Sequence, residues 1–169
     1  GKTPHTPNLI KQQMIKEYAK KYSLKILVET GTYLGITIQG VSPFFERIYT
    51  IELDDLLFKR AKKKFKSYNH IKVFKGDSAK ILLKIIKKIN LPTLFWLDAH
   101  YSKGITARGK LDTPIIDELT HILNHHIKNH AILIDDASNF VGKNGYPDMH
   151  FLKSLVASKN SNYKISRKF

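Results

Sequence analysis

Apolar positions fall into two rhythms that take turns along the chain. Short, nearly unbroken apolar runs at Lys25 to Glu29, Ile48 to Glu52, Ile71 to Phe74, Thr93 to Asp98 and Ala131 to Asp135 predict strands buried on both faces. Between them, Leu34 to Phe44, Asp55 to Phe65, Ala79 to Ile89 and Pro114 to Ile127 repeat apolar residues at helical spacing. Upstream, Leu9, Ile10, Met14, Ile15, Tyr18, Ala19 and Tyr22 predict an amphipathic helix with Asn8 as N-cap. Downstream, a helix is expected over Pro147 to Ala157 and a last strand over Tyr163 to Phe169. Residues 1–7, with two prolines and His5, show no period and predict a flexible lead-in. Regular alternation of strand and helix implies right-handed crossovers, a mostly parallel sheet and helices on both faces. A length of 169 residues suits a single three-layer α/β domain over 8–169.

The strand ends carry the chemistry. Leu27-Val28-Glu29-Thr30-Gly31-Thr32-Tyr33-Leu34-Gly35 runs from a strand through an acid and two glycines into a helix, a turn that lets a nucleotide-like ligand lie against bare backbone. Its spacing, Glu29-x-Gly31-x-x-x-Gly35, departs from the dinucleotide pattern G-x-G-x-x-G. Glu52 ends the second strand about 20 residues beyond Gly31, where βαβ nucleotide sites keep an acid for ribose hydroxyls. An acid at a strand end also serves as a helix cap. Gly76-Asp77-Ser78 follows the third strand and has the same two readings. Asp98, Asp135 and Asp136 close the fourth and fifth strands, so parallel pairing would gather three carboxylates at one edge. Their mutual repulsion requires a cation or protons, and a hard, all-oxygen donor set suits magnesium, manganese or calcium better than zinc.

These residues resemble the class I S-adenosylmethionine (SAM)-dependent methyltransferases. The glycine turn is similar to that of catechol O-methyltransferase-like enzymes, and the three aspartates to the metal site of those enzymes and of macrocin- and mycinamicin-type sugar O-methyltransferases. The resemblance implies a Rossmann-like αβα methyltransferase fold. It implies SAM held by Glu29, Thr30, Gly31, Thr32, Gly35, Glu52, Leu53, Gly76, Asp77, Ser78 and Asp98, with adenine beside Asp77 or Ser78. It also implies a divalent cation, magnesium or manganese, on Asp98, Asp135 and Asp136. His100 is the expected general base, although the family's base stands three residues beyond the aspartate and His100 stands two; Tyr101 and Lys103 are the alternatives. The long stretch from Tyr101 to Pro114 reads as a lid or acceptor loop, with Lys103, Arg108 and Lys110 available to anionic or hydroxyl-rich acceptors. Together with the following Thr113-Pro114-Ile115-Ile116-Asp117-Glu118-Leu119, it is similar to methyltransferases found beside polysaccharide-assembly enzymes, which implies a sugar or glycan acceptor. The family's sheet closes with an antiparallel strand, so the chain is expected to stop one strand short, as a piece of a larger polypeptide.

Composition narrows the alternatives. The 29 basic and 14 acidic residues leave a formal charge of +15, which favours an anionic partner and keeps open an RNA methyltransferase or a non-catalytic SAM-fold binding module. The fourth strand, however, ends in Asp98-Ala99-His100 and carries none of the Asn/Asp-Pro-Pro-aromatic motif of base-amine methyltransferases. Lysine runs such as Lys59 to Lys66 alternate with apolar residues and read as solvated helix faces. His121, His125, His126 and His130 lack the spacing of a zinc set and read as a polar helix face. The absence of cysteine excludes disulfides and thiolate chemistry. No apolar run reaches the roughly 18 to 20 residues of a membrane span, so a soluble, cytoplasmic protein is expected.

Overall fold

The computed structural model describes residues 6–99, 113–143 and 145–168. Strands β1 (Ile26–Thr30), β2 (Arg47–Glu52), β3 (Ile71–Lys75), β4 (Leu94–Leu97) and β5 (Ala131–Ile134) pair in the order β3-β2-β1-β4-β5, every pair parallel. The helices are α1 (Asn8–Lys21), α2 (Ile36–Val41), α3 (Asp55–Lys64), α4 (Ser78–Ile86), α5 (Ile115–Leu123) and α6 (Met149–Lys159). The Rossmann-like three-layer α/β reading therefore holds over the described residues.

Alternation along the strands divides the core into two layers. Leu27, Ile48, Leu94, Trp96 and Leu133 pack against Ile15 and Ala19 of α1, Ile38 and Val41 of α2, and Ala61 of α3. Val28, Tyr49, Ile51, Phe95 and Leu97 face Leu82, Ile85 and Ile86 of α4, Leu119 and Ile122 of α5, and Leu152 of α6. Because both faces are covered, the inner strands β1, β2 and β4 read as continuous apolar runs, whereas the edge strand β3, expected to be buried on both faces, leaves Lys72 and Lys75 exposed. At roughly 1.5–3 kcal/mol for each large apolar side chain removed from water, these two layers dominate the stability of the fold.

The register decides where chemistry can occur. Thr30 is level with Ile51 and Leu97, and Leu97 with Ile134. One step further the chain reaches Gly31, Glu52, Asp98 and Asp135. Backbone bonds continue the pairing there: Gly31 N–H donates to Ile51 O (3.0 Å), Asp98 N–H to Thr30 O (3.1 Å) and Asp135 N–H to Leu97 O (3.1 Å). The chain reverses its direction of travel across the sheet between β1 and β4, the crevice where open α/β sheets bind ligands.

Several boundaries differ from the sequence reading. The N–H groups of Ile10 and Lys11 bond to Pro7 O, so Pro7, and not Asn8, is the N-cap of α1. The helix expected over Leu34 to Phe44 starts only after Gly35 and ends in a 3-10 turn, Ser42–Phe44, that contains Pro43. Helix α5 stops at Leu123, short of the predicted Ile127, because His125 turns into the core. Up to Lys168 the expected last strand does not form. That segment is tied to α1 instead, with Lys168 Nζ 3.2 Å from Glu17 Oε1 and over the ring of Tyr18.

Candidate active site

The glycine turn is shaped by two close approaches. Gly31 has φ +84°, and a Cβ there would lie 2.5 Å from the carbonyl oxygen of Asp98. Gly35 has φ +69°, and its Cβ would lie 2.9 Å from the ring of Phe65. The first glycine thus lets β1 and β4 converge at the switch point, and the second seats α2 against the end of α3. Tyr33, between them, also has positive φ, +51°, an uncommon conformation for a bulky side chain. Its backbone N–H donates to Glu52 Oε2 at 2.8 Å.

Glu52 is 5% exposed, and its other oxygen, Oε1, accepts from Asp54 N–H at 2.9 Å. Burial pushes its carboxyl above the ordinary value, against the pull of the N–H groups of Asp54, Tyr33 and Leu53. Each carboxylate oxygen can accept more than one hydrogen bond, so the same group can fix the turn and meet a hydroxyl. Glu29 lies deeper, at 2% exposure. Its Oε2 accepts from Thr50 Oγ1 at 2.6 Å, and Thr50 Oγ1 is 2.6 Å from Thr32 Oγ1. Burial pushes Glu29 well above the ordinary carboxylate value, with the Thr50 hydrogen bond opposing and the Asp98 charge adding to the shift. Glu29 and Thr32 therefore brace the floor of the turn, and Thr30, fully buried, accepts the Asp98 N–H through its own hydroxyl at 3.2 Å. Asp77 Oδ1 caps α4 by accepting from Ala79 N–H at 3.0 Å, beside Gly76, whose N–H bonds to Glu52 O, and buried Ser78. Leu53 follows Glu52 at the same edge, half-buried.

Carboxylate oxygens of Asp98, Asp135 and Asp136 all lie within 4.8 Å of one another. Neighbours on a strand point to opposite faces, so two consecutive acids share a site only if the alternation breaks. Asp136 breaks it, with φ +52° and ψ +39°, in the left-handed region that Asp tolerates better than most residues. Sequence reasoning asked what cation compensates this cluster and missed a resident one. Lys11 Nζ, from α1, lies 2.8 Å from Asp98 Oδ2 and 2.6 Å from Asp135 Oδ2. Burial alone would lower its pKa, but Asp98 and Asp135 outweigh that and hold it above the ordinary lysine value. The one available signal was helical spacing, since Lys11 stands one turn before the fully buried Ile15 and shares its face.

His100, the expected base, and the loop from Tyr101 to Asp112 lie outside the described residues. Two of the four histidines further on, His125 and His130, leave the polar helix face expected of them, whereas His126 is exposed and His121 half-buried on α5. His125 and His130 are 7% and 4% exposed, with His125 Nδ1 2.8 Å from His130 Nε2. Thr93 N–H donates to His130 Nδ1 at 3.0 Å, so the His130 proton sits on Nε2 and is donated to His125. Burial is the first cause that pushes His130 down, to about 4, followed by His125, His126 and Lys128. This pair ties the starts of β4 and β5 together at the sheet edge opposite the carboxylates.

No family model matches the chain, and no curated protein sequence matches it. Solved structures do. The O-methyltransferase TomG from Streptomyces achromogenes, involved in tomaymycin synthesis and crystallised with SAM, superposes with a TM-score of 0.63 at 14% identity, over 92% of this chain and 69% of TomG. The methyltransferase PaMTH1 from Podospora anserina, bound to S-adenosylhomocysteine, gives 0.57 at 17% identity, over 92% of this chain and 69% of PaMTH1. At such identities the likeness is one of architecture. The chain has the class I SAM-dependent methyltransferase fold.

Proposed function

We propose that this protein is a SAM-dependent O-methyltransferase that acts on a hydroxyl of a sugar or glycan. The observation that carries the reading is the register, which brings the glycine turn, Glu52 and the three aspartates to one edge of the sheet at its switch point. SAM is supported by the chemistry of the donor set, because Gly31 lets β1 and β4 close together at the switch point and buried Glu52 offers acceptors for hydroxyls. When bound, SAM supplies a methyl group made electrophilic by its sulfonium.

The chain's residues hold and orient. Gly31 and Gly35 shape the turn, Glu52 receives the ribose hydroxyls, and Asp77 and Ser78 border the base while Asp77 keeps its cap. Asp98 joins this pocket to the acceptor side. His100 would take the proton of the acceptor hydroxyl as that oxygen receives the methyl group, with the sulfonium leaving as a neutral thioether. The donor set of Asp98, Asp135 and Asp136 fits a magnesium or manganese ion, which when bound would lower the pKa of an acceptor hydroxyl. Much of the acceleration would come from these residues positioning the acceptor hydroxyl against the methyl donor.

The deciding experiment is transfer of labelled methyl from SAM to a panel of glycans and to RNA, with and without chelator. Glycan methylation that falls on chelation supports the proposal. Transfer untouched by chelator removes the ion, and transfer to RNA alone replaces the sugar, which the charge of +15 makes the second reading.

A further inference from the structure

The Lys11 ammonium sits where a cation bridging Asp98 and Asp135 would sit. Its contacts of 2.8 and 2.6 Å use one oxygen of each carboxylate, and a magnesium or manganese ion ligated by the same oxygens at about 2.1 Å would come within van der Waals contact of it. Two cations cannot share that space. Lys11 also lies at the weakly anchored end of its helix. Asn8, Leu9 and Ile10 are exposed, Leu9 at 78%, and the first buried apolar side chain of α1 is Ile15. Next to Lys11, Gln12 Nε2 donates to Ile36 O at 3.0 Å. The start of α1 is therefore held to the site through polar contacts, and the helix beyond Ile15 is held by the core.

We propose that Lys11 is a built-in counter-ion that competes with a divalent cation for Asp98 and Asp135, so that ion binding releases the first turns of α1 from the acceptor site. The inference rests on the carboxylate cluster as the cation site of the proposed methyltransferase. It makes Lys11 a positioning residue. In the ion-free state it bridges Asp98 and Asp135 and offsets the repulsion between them, and in the ion-bound state its departure opens the edge of the sheet where an acceptor would enter.

The test is manganese binding to the full chain without SAM, followed by electron paramagnetic resonance. Removing the competitor in Lys11→Met should tighten manganese binding by about tenfold or more, and Lys11→Gln should do the same if the methionine variant folds poorly. Lys11→Arg, which keeps the charge, should bind as weakly as the wild type, and Asp135→Asn in the Lys11→Met background should abolish the gain. In the wild type, saturating manganese should speed amide hydrogen exchange from Asn8 to Met14, with no such change in Lys11→Met. Equal manganese affinity in wild type and both neutral variants, or tight binding with no change in exchange at α1, overturns the proposal. Methyl transfer is read separately. Its absence with every acceptor would sink the methyltransferase reading while the manganese comparison still decides the role of Lys11.

Discussion

At the scale of single residues, the turn depends on one position that is closed to a side chain and one acid that braces it with both carboxylate oxygens. Gly31 combines positive φ with a 2.5 Å approach of its missing Cβ to the Asp98 carbonyl. Gly31→Ala should therefore destabilise the fold by about 1–3 kcal/mol and weaken SAM binding, read by urea denaturation and titration calorimetry. Unchanged values in both would show that β1 and β4 do not need this close approach. Glu52 holds the Tyr33 and Asp54 N–H groups, and Glu52→Gln replaces one acceptor by an amide donor. SAM affinity should fall on the order of tenfold while circular dichroism stays native. An unchanged affinity would confine Glu52 to bracing the turn. Both positions were legible in the sequence, because a glycine after an apolar strand and an acid at a strand end each leave a local signature. Lys11 was not, since its partner Asp98 is 87 residues away.

At the scale of elements, the strands were legible because each is an apolar run that ends in a polar residue, whereas several helix ends were set by tertiary contacts. The clearest case is the end of α5, where the buried pair His125 and His130 draws the chain inward. His130, pushed down to about 4, binds its proton less readily folded than unfolded. Its contribution to stability is therefore complete above the unfolded histidine value near 6.5 and is lost as pH falls from there through about 4. His130→Phe leaves the buried Thr93 N–H without its acceptor and should cost about 1–3 kcal/mol at neutral pH. The gap between variant and wild type should close as pH approaches 4. Urea denaturation at a series of pH values checks this, and a gap that stays constant would mean that the pair is not held neutral by the fold.

At the scale of the whole molecule, part of the charge of +15 lies on a helix face that carries none of the three clustered aspartates. Lys59, Arg60, Lys62 and Lys63 are exposed on α3, and α3 packs against β2 and β3 on the far side of the sheet from β5. Changing these four residues to Glu should lower RNA affinity by about tenfold or more at low salt and flatten its salt dependence, measured by fluorescence anisotropy. Glycan methylation should be unaffected. A parallel loss of methyl transfer to RNA would favour the RNA reading over the sugar. By itself the sequence determined the order and kind of the elements, the parallel sheet and the acids and glycines at its carboxyl edge, because hydrophobic period and turn chemistry are local properties. Only the tertiary structure decided what answers those acids. The register aligned the strand ends, the left-handed turn at Asp136 brought consecutive carboxylates together, and a helix distant in the chain delivered the ammonium of Lys11 between two of them. Contacts of that kind depend on which elements pack against each other, and a one-dimensional pattern carries no record of it.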